Sequence, residues 1–462
     1  MAPAAATRDM FLRNGKADTD LSQTGALASG VPGELAAFDH AVAKFGKKKL
    51  GELILPAAKI AADGFALSPA YATRLSSVAA EMKKFPAARA IFFNRGKPLA
   101  AGEILKQPDL AATYRGIAGQ GSDWFYRGPF AKATAQWMKA NGGIITAADF
   151  ANYHVVLREP VTTSYRGYQV VTFAPPSSGG VHLAQMLNIL EAFDLKTLDE
   201  VTRLHVIAET MKLAFADRAY WLGDPDFAKV PRGLVSKEYA ATLARKINLE
   251  RATEVPSHGT PPGWQTDVFK RHTTHFSVAD AEGNWVACTA TVNTSFGSKV
   301  VIPGTGVVLN NEMDDFSAQA GVPNAFGLIG ADANAVAPGK RPLSSMTPTI
   351  VLKANEPILA LGAAGGPKII SAVLQELVCL LDLGMTPAAA LAAPRIHQQW
   401  SPDELMAEKA LPEPLKTALE LRGHKVRELN AFSVSHLVAR SLDGQGFIGA
   451  ADPRAIGTAA GW

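Results

Sequence analysis

The chain has 462 residues, of which 47% are hydrophobic, with 46 Lys and Arg against 42 Asp and Glu. That length and apolar content bury a large core, and the near balance of charge excludes the strong positive field that nucleic acid or an anionic membrane would require. Two cysteines, Cys288 and Cys379, exclude a disulfide framework or thiolate cluster, no apolar run is long enough for a membrane span, and ten histidines show no ligand spacing such as HExxH.

Helical periodicity with alanine-rich faces marks Glu34 to Phe45, Pro69 to Lys84, Pro129 to Asn141, Val181 to Phe193 and Val201 to Trp221. From Thr273 the texture changes to short β-rich segments: His275 to Ala279, Asn284 to Val292, Thr349 to Leu352, Ile358 to Ala363, Val434 to Ala439 and Phe447 to Ala450. Helices are expected again at Pro367 to Leu383 and Pro414 to Arg422. No linker, low-complexity tract or fixed-period repeat interrupts the chain. Strands covered by helices predict a layered α/β architecture with its chemistry at strand ends. The glycine-rich nucleotide cradles and the GxSxG elbow are missing, so neither a nucleotide cofactor nor a serine-hydrolase site is expected.

The segment Thr273 to Asp280, the loop Ala281-Glu282-Gly283 and the run from Asn284 read as a hairpin whose glycine takes a left-handed conformation. Pairing Asp280 with Asn284 and keeping register places Thr273 opposite Thr291, where cross-strand Cβ atoms lie about 5 Å apart. A threonine hydroxyl needs a base to become a nucleophile. A free α-amino group, with a pKa of about 7.7 to 8.0, is a suitable one, and it exists only if the bond after His272 is cut. Taken alone, the two threonines read as ordinary strand residues.

Thr273-Thr274-His275, Thr294-Ser295-Phe296-Gly297, Asn310 to Ser317 (NNEMDDFS), Arg341 to Met346 (RPLSSM) and Gly365-Gly366 occur in the order and spacing of the γ-glutamyltransferases, as do Pro175 to Gly180 (PPSSGG) and Leu222 to Asp226. The chain resembles that family from Ala2 to Trp462. The resemblance implies an αββα sandwich of the N-terminal nucleophile hydrolase type, in which a large segment, 1–272, and a small one, 273–462, form together one domain and stay associated after self-cleavage between His272 and Thr273. It implies transfer of γ-glutamyl groups from glutathione or similar compounds to water, amino acids or peptides, without a cofactor or metal.

The resemblance also assigns roles. Thr273 is the nucleophile and Thr291 its neighbour. Gly365 and Gly366, at a strand end before a helix beginning near Pro367, suit an oxyanion hole. Asn293, Glu312 and Asp315 offer oxygens to a substrate ammonium, and Ser344 and Ser345 offer hydroxyls to its α-carboxylate. The loop Ala320 to Gly327 resembles a lid, with Phe326 where a tyrosine is common. Such a lid favours γ-glutamyl substrates over those of related cephalosporin acylases.

The family's chains continue upstream of the position of Met1, where they carry an arginine that grips the substrate carboxylate and a secretion signal. The chain is therefore expected to be N-terminally truncated relative to the family, with the longer gene's product periplasmic or secreted. The alternatives are a non-catalytic remnant lacking that arginine, and a related acylase of the same fold.

Overall fold

In the computed structural model, the described residues are 1–262, 275–441 and 443–461. They divide into two compact units that interleave along the chain. The first comprises 1–156, 292–319 and 335–342, and the second 157–291, 320–334 and 343–462.

The first unit is helical. Its longer helices are α1 (Glu34–Phe45), α2 (Leu50–Asp63), α3 (Pro108–Gln120) and α4 (Pro129–Ala140). Phe125 stacks on Phe130, and Phe150 meets both rings edge-on, so aromatic packing centres one core on α4 and the turn before it. Val300, Ile302 and Leu309 close that core from the segment 292–319. The expected helix Pro69 to Lys84 is two helices, Pro69–Ser77 and Ala79–Met82, and the sequence reading overlooked α2, whose interior carries Pro56.

The second unit is layered. A six-stranded antiparallel sheet contains β1 (Val161–Tyr165), β2 (Tyr168–Thr172), β5 (Thr349–Lys353), β6 (Glu356–Ala364), β10 (Val434–Arg440) and β11 (Phe447–Ala451), in the order β11-β10-β6-β5-β2-β1. On one face pack α5 (Gly179–Leu190) and α8 (Lys368–Leu377), every residue of α5 being buried. Behind α5 lie α6 (Glu200–Trp221) and α7 (Lys237–Ala244). Against the same sheet packs the hairpin of β3 (Phe276–Ala279) and β4 (Trp285–Cys288). Helices, large sheet and hairpin supply the α/β layering of the αββα class. A smaller sheet joins β7 (Ile396–Gln398), β8 (Leu405–Glu408) and β9 (Val426–Leu429), and α9 (Glu413–Leu421) connects the last two.

Strands β1 and β2 precede residue 272, while β5, β6, β10 and β11 follow it. Thr349 to Leu352 of β5 pair with Thr172 back to Gln169 of β2. The hydrophobic core follows suit, running from Val161 to Ile247 and from Leu328 to Leu437.

Candidate active site

The hairpin carries the register that its turn dictates. The Asp280 N–H donates to the Asn284 carbonyl, Gly283 sits at φ 89°, and Trp285, Val286, Ala287 and Cys288 face Ala279, Val278, Ser277 and Phe276. One step further, His275 still faces Thr289, with Nδ1 3.2 Å from Oγ1, while its Nε2 lies 2.6 Å from Ser277 Oγ. The imidazole rests on Gly362 of β6, where a Cβ would come 2.3 Å from the ring. Burial, aided by His436, pushes its pKa down to about 3, so the ring is neutral. The expected strand pair is shorter than its sequence range. Thr291 lies past the end of β4 and is half-buried. His272 and Thr273 lie outside the described residues.

Ser344 and Ser345 are buried in a loop held by the PPSSGG segment. The Ser344 N–H donates to Pro176 O, and the Ser178 N–H and Oγ both donate to Ser344 O, each 2.8 Å long. Ser177 Oγ donates to Met346 O at 2.7 Å. Side chains are excluded at the next two positions: a Cβ on Gly179 would lie 2.3 Å from Met346 O, and one on Gly180 1.9 Å from Phe173 O. From α6, buried Arg218 reaches the same place, with Nε donating to Ser178 Oγ at 2.9 Å and Nη2 to Ser345 Oγ at 3.1 Å. Sequence reasoning missed this arginine. The sequence carried no signal for it, because the burial of Arg218 and of the helix residues from His205 to Asp217 is set by tertiary packing.

Gly365 and Gly366 stand where expected, between the end of β6 and Pro367, which caps α8. Both precede the helix, so its ladder does not use their N–H groups, and these lie at the positive end of the helix dipole. Their φ angles of 148° and 62° are ones that a glycine adopts without strain. Over Gly366 lies Phe326: a Cβ on the glycine would meet ring carbons at 2.6 and 2.9 Å. The loop bearing Phe326 is tied by Asn324, whose Oδ1 accepts from the N–H groups of Phe326 and Leu328. It is anchored again by Gln399, whose Nε2 donates to Gly327 O at 3.0 Å. Gln399 in turn meets His397 Nε2, and His397 Nδ1 meets Ser371 of α8 at 2.7 Å. The loop bearing Phe326 and helix α8 therefore share one buried polar chain, which the sequence did not reveal.

The first unit holds the remaining candidates. Glu312 and Asp315 begin and end a single 3-10 turn, and both are half-buried. Asn293, at φ 72°, donates from Nδ2 to Asn311 O at 3.0 Å. Asn310 and Gly30 exchange two hydrogen bonds, and the Glu312 N–H donates to Asn310 Oδ1, which fixes the approach to the turn. Asp314 instead faces inward and accepts from Ser22 Oγ. The structure thus groups Asn293, Glu312 and Asp315 in one unit, and Thr291, Phe326, Ser344, Ser345, Gly365 and Gly366 in the other. Among the described residues, no cluster of three or more His, Cys, Asp or Glu could hold a metal ion.

The gamma-glutamyltranspeptidase family model matches residues 1–462. A glutathione hydrolase proenzyme of Escherichia coli K12 is 46% identical over 462 residues, covering 99% of this chain and 79% of its own. An acylase ACY 1 proenzyme of Pseudomonas sp. SE83 is 40% identical over 438 residues, covering 94% of this chain and 75% of its own. Among solved structures, a cephalosporin acylase from Bacillus halodurans superimposes with a TM-score of 0.88 at 28% identity, over 100% of this chain and 83% of that one.

Proposed function

Because this chain belongs to the gamma-glutamyltranspeptidase family, we propose that it cuts its own backbone between His272 and Thr273 and then transfers γ-glutamyl groups from glutathione or a similar amide to water, an amino acid or a short peptide. In the acyl-transfer step, Thr273 Oγ attacks the γ-carbonyl carbon while the new α-amino group takes the hydroxyl proton. The C–N bond then breaks and that proton passes to the leaving amine. Water or an acceptor amine opens the threonine ester and returns a proton to Oγ. The N–H groups of Gly365 and Gly366 serve the oxyanion, an arrangement worth about 10²- to 10³-fold in rate per donor. Asn293, Glu312 and Asp315 take the substrate ammonium, and Ser344 and Ser345 its α-carboxylate.

The observation that carries this reading is the ring of Phe326 seated on Gly366. A covered oxyanion glycine suits a small, polar γ-glutamyl group that must be shielded from bulk water, and it narrows the space that a bulky β-lactam amide would need. Wild-type protein is expected to run as two bands on a denaturing gel, the smaller beginning at Thr273, and Thr273→Ala as one. A γ-glutamyl anilide is expected to be hydrolysed far faster than a cephalosporin side-chain amide. Wild-type protein that stays uncut and inactive would overturn the proposal, and the reverse substrate preference would replace it with the acylase reading.

A further inference from the structure

The fork of Arg218 has a chemical consequence for Ser345. A guanidinium only donates hydrogen bonds, so each serine oxygen facing it must accept. Ser178 Oγ accepts from Arg218 Nε and spends its own proton on Ser344 O. Ser345 Oγ accepts from Nη2, which fixes its polarity in the same sense and leaves its proton to be given to another acceptor. All three side chains are buried, with Arg218 4%, Ser178 0% and Ser345 6% exposed, so water does little to scramble these directions. The same arginine ties α6 to both loops, because its partners lie 40 and 127 residues away.

We infer that Arg218 is a positioning residue for substrate recognition: it presets the Ser345 hydroxyl as a donor to the α-carboxylate of a γ-glutamyl substrate. This deepens the role proposed above for Ser345 and rests on that reading. A neutral α-carboxamide gains less from such a donor than a carboxylate does, since hydrogen bonds to charged groups are the stronger ones. Arg218 therefore acts on discrimination between the two and not on acyl chemistry itself.

The test compares a γ-glutamyl anilide with its α-carboxamide analogue, using self-cleaved protein. In Arg218→Met, kcat/KM for the carboxylate donor is expected to fall about 10- to 100-fold, chiefly through KM, and for the carboxamide about threefold or less. Arg218→Lys keeps the buried charge but has a single ammonium in place of the fork, so it should not restore discrimination. Ser345→Ala should match Arg218→Met, and the double variant should lose nothing further. Equal losses on both donors, rescue by Arg218→Lys, or full discrimination in Ser345→Ala would overturn the inference. The last readout holds even if the Arg218 variants fail to fold. Wild-type protein inactive on both donors would instead overturn the γ-glutamyl reading, and this inference with it.

Discussion

A single methyl group at Gly366 would test the proposed oxyanion role. It would strike the Phe326 ring at 2.6 Å and place a side chain at φ 62°, a conformation that costs a non-glycine residue about 1–2 kcal/mol. Gly366→Ala is therefore expected to keep its fold, with a modest loss of thermal stability, but to lose about 10²-fold or more in kcat as its N–H shifts. Adding Phe326→Ala should relieve the clash without returning activity. Recovery in the double variant would show that the ring, and not the N–H, was responsible. At this scale the sequence was legible where placement follows from a short motif, as with Gly365-Gly366 at the junction of strand and helix. Arg218 was opaque because its meaning lies in partners remote along the chain, and an arginine near a helix end reads by default as a solvated charge.

Elements were readable where local rules dominate. The β3–β4 hairpin followed from its turn, since Asp280 Oδ1 accepts from the N–H groups of Glu282 and Asn284, and Gly283 supplies the left-handed residue. The β1–β2 hairpin was overlooked although Val161, Thr163 and Tyr165 alternate inward, because its turn is Arg166-Gly167, with Arg166 at φ 52° where Asn or Asp would be the recognisable signal. Strands β7 to β9 are too short, and β7 and β8 too completely buried, to show a period. The β2–β5 ladder yields a prediction of its own. It joins main chain from both sides of the proposed cleavage point, and Val351 packs in the same core as Val170. After cleavage, the 1–272 and 273–462 pieces are expected to co-elute on size exclusion in native buffer and to part only in denaturant. Separation in native buffer would contradict the shared sheet.

For the whole molecule, the chain falls into two interleaved units, each drawing chain from both sides of residue 272. Such interleaving arises from tertiary packing and leaves no mark in local composition. Protonation also acts at this scale. Burial holds His182, His275, His397 and His424 near a pKa of about 3. A histidine depressed below its unfolded value of about 6.5 lends stability that is complete above that pH and is lost as pH falls towards the folded value, at about 1.4 kcal/mol per unit for each ring. Burial raises Glu34 and Asp217, and Glu376 to about 7. Groups raised in the folded state lend stability at low pH that fades as pH rises, which opposes the histidines where the windows overlap. With His205 also lowered, five rings outweigh three carboxyls, so melting temperature should fall steadily from pH 6.5 to 4.5. A flat or rising trace over that interval would refute the assignment of neutral buried histidines.

The large sheet finally sets an order of events. Because β2 and β5 must meet to complete it, the polypeptide has to collapse while still continuous, when closing the intervening loop is a unimolecular step. With the bond before Thr273 cut as proposed, the same ladder could re-form only by encounter between two separate molecules, at a rate that depends on their concentration. Maturation by the proposed cut would thus turn a reversible folding problem into an assembly problem, and the mature protein would owe its persistence to the barrier against coming apart.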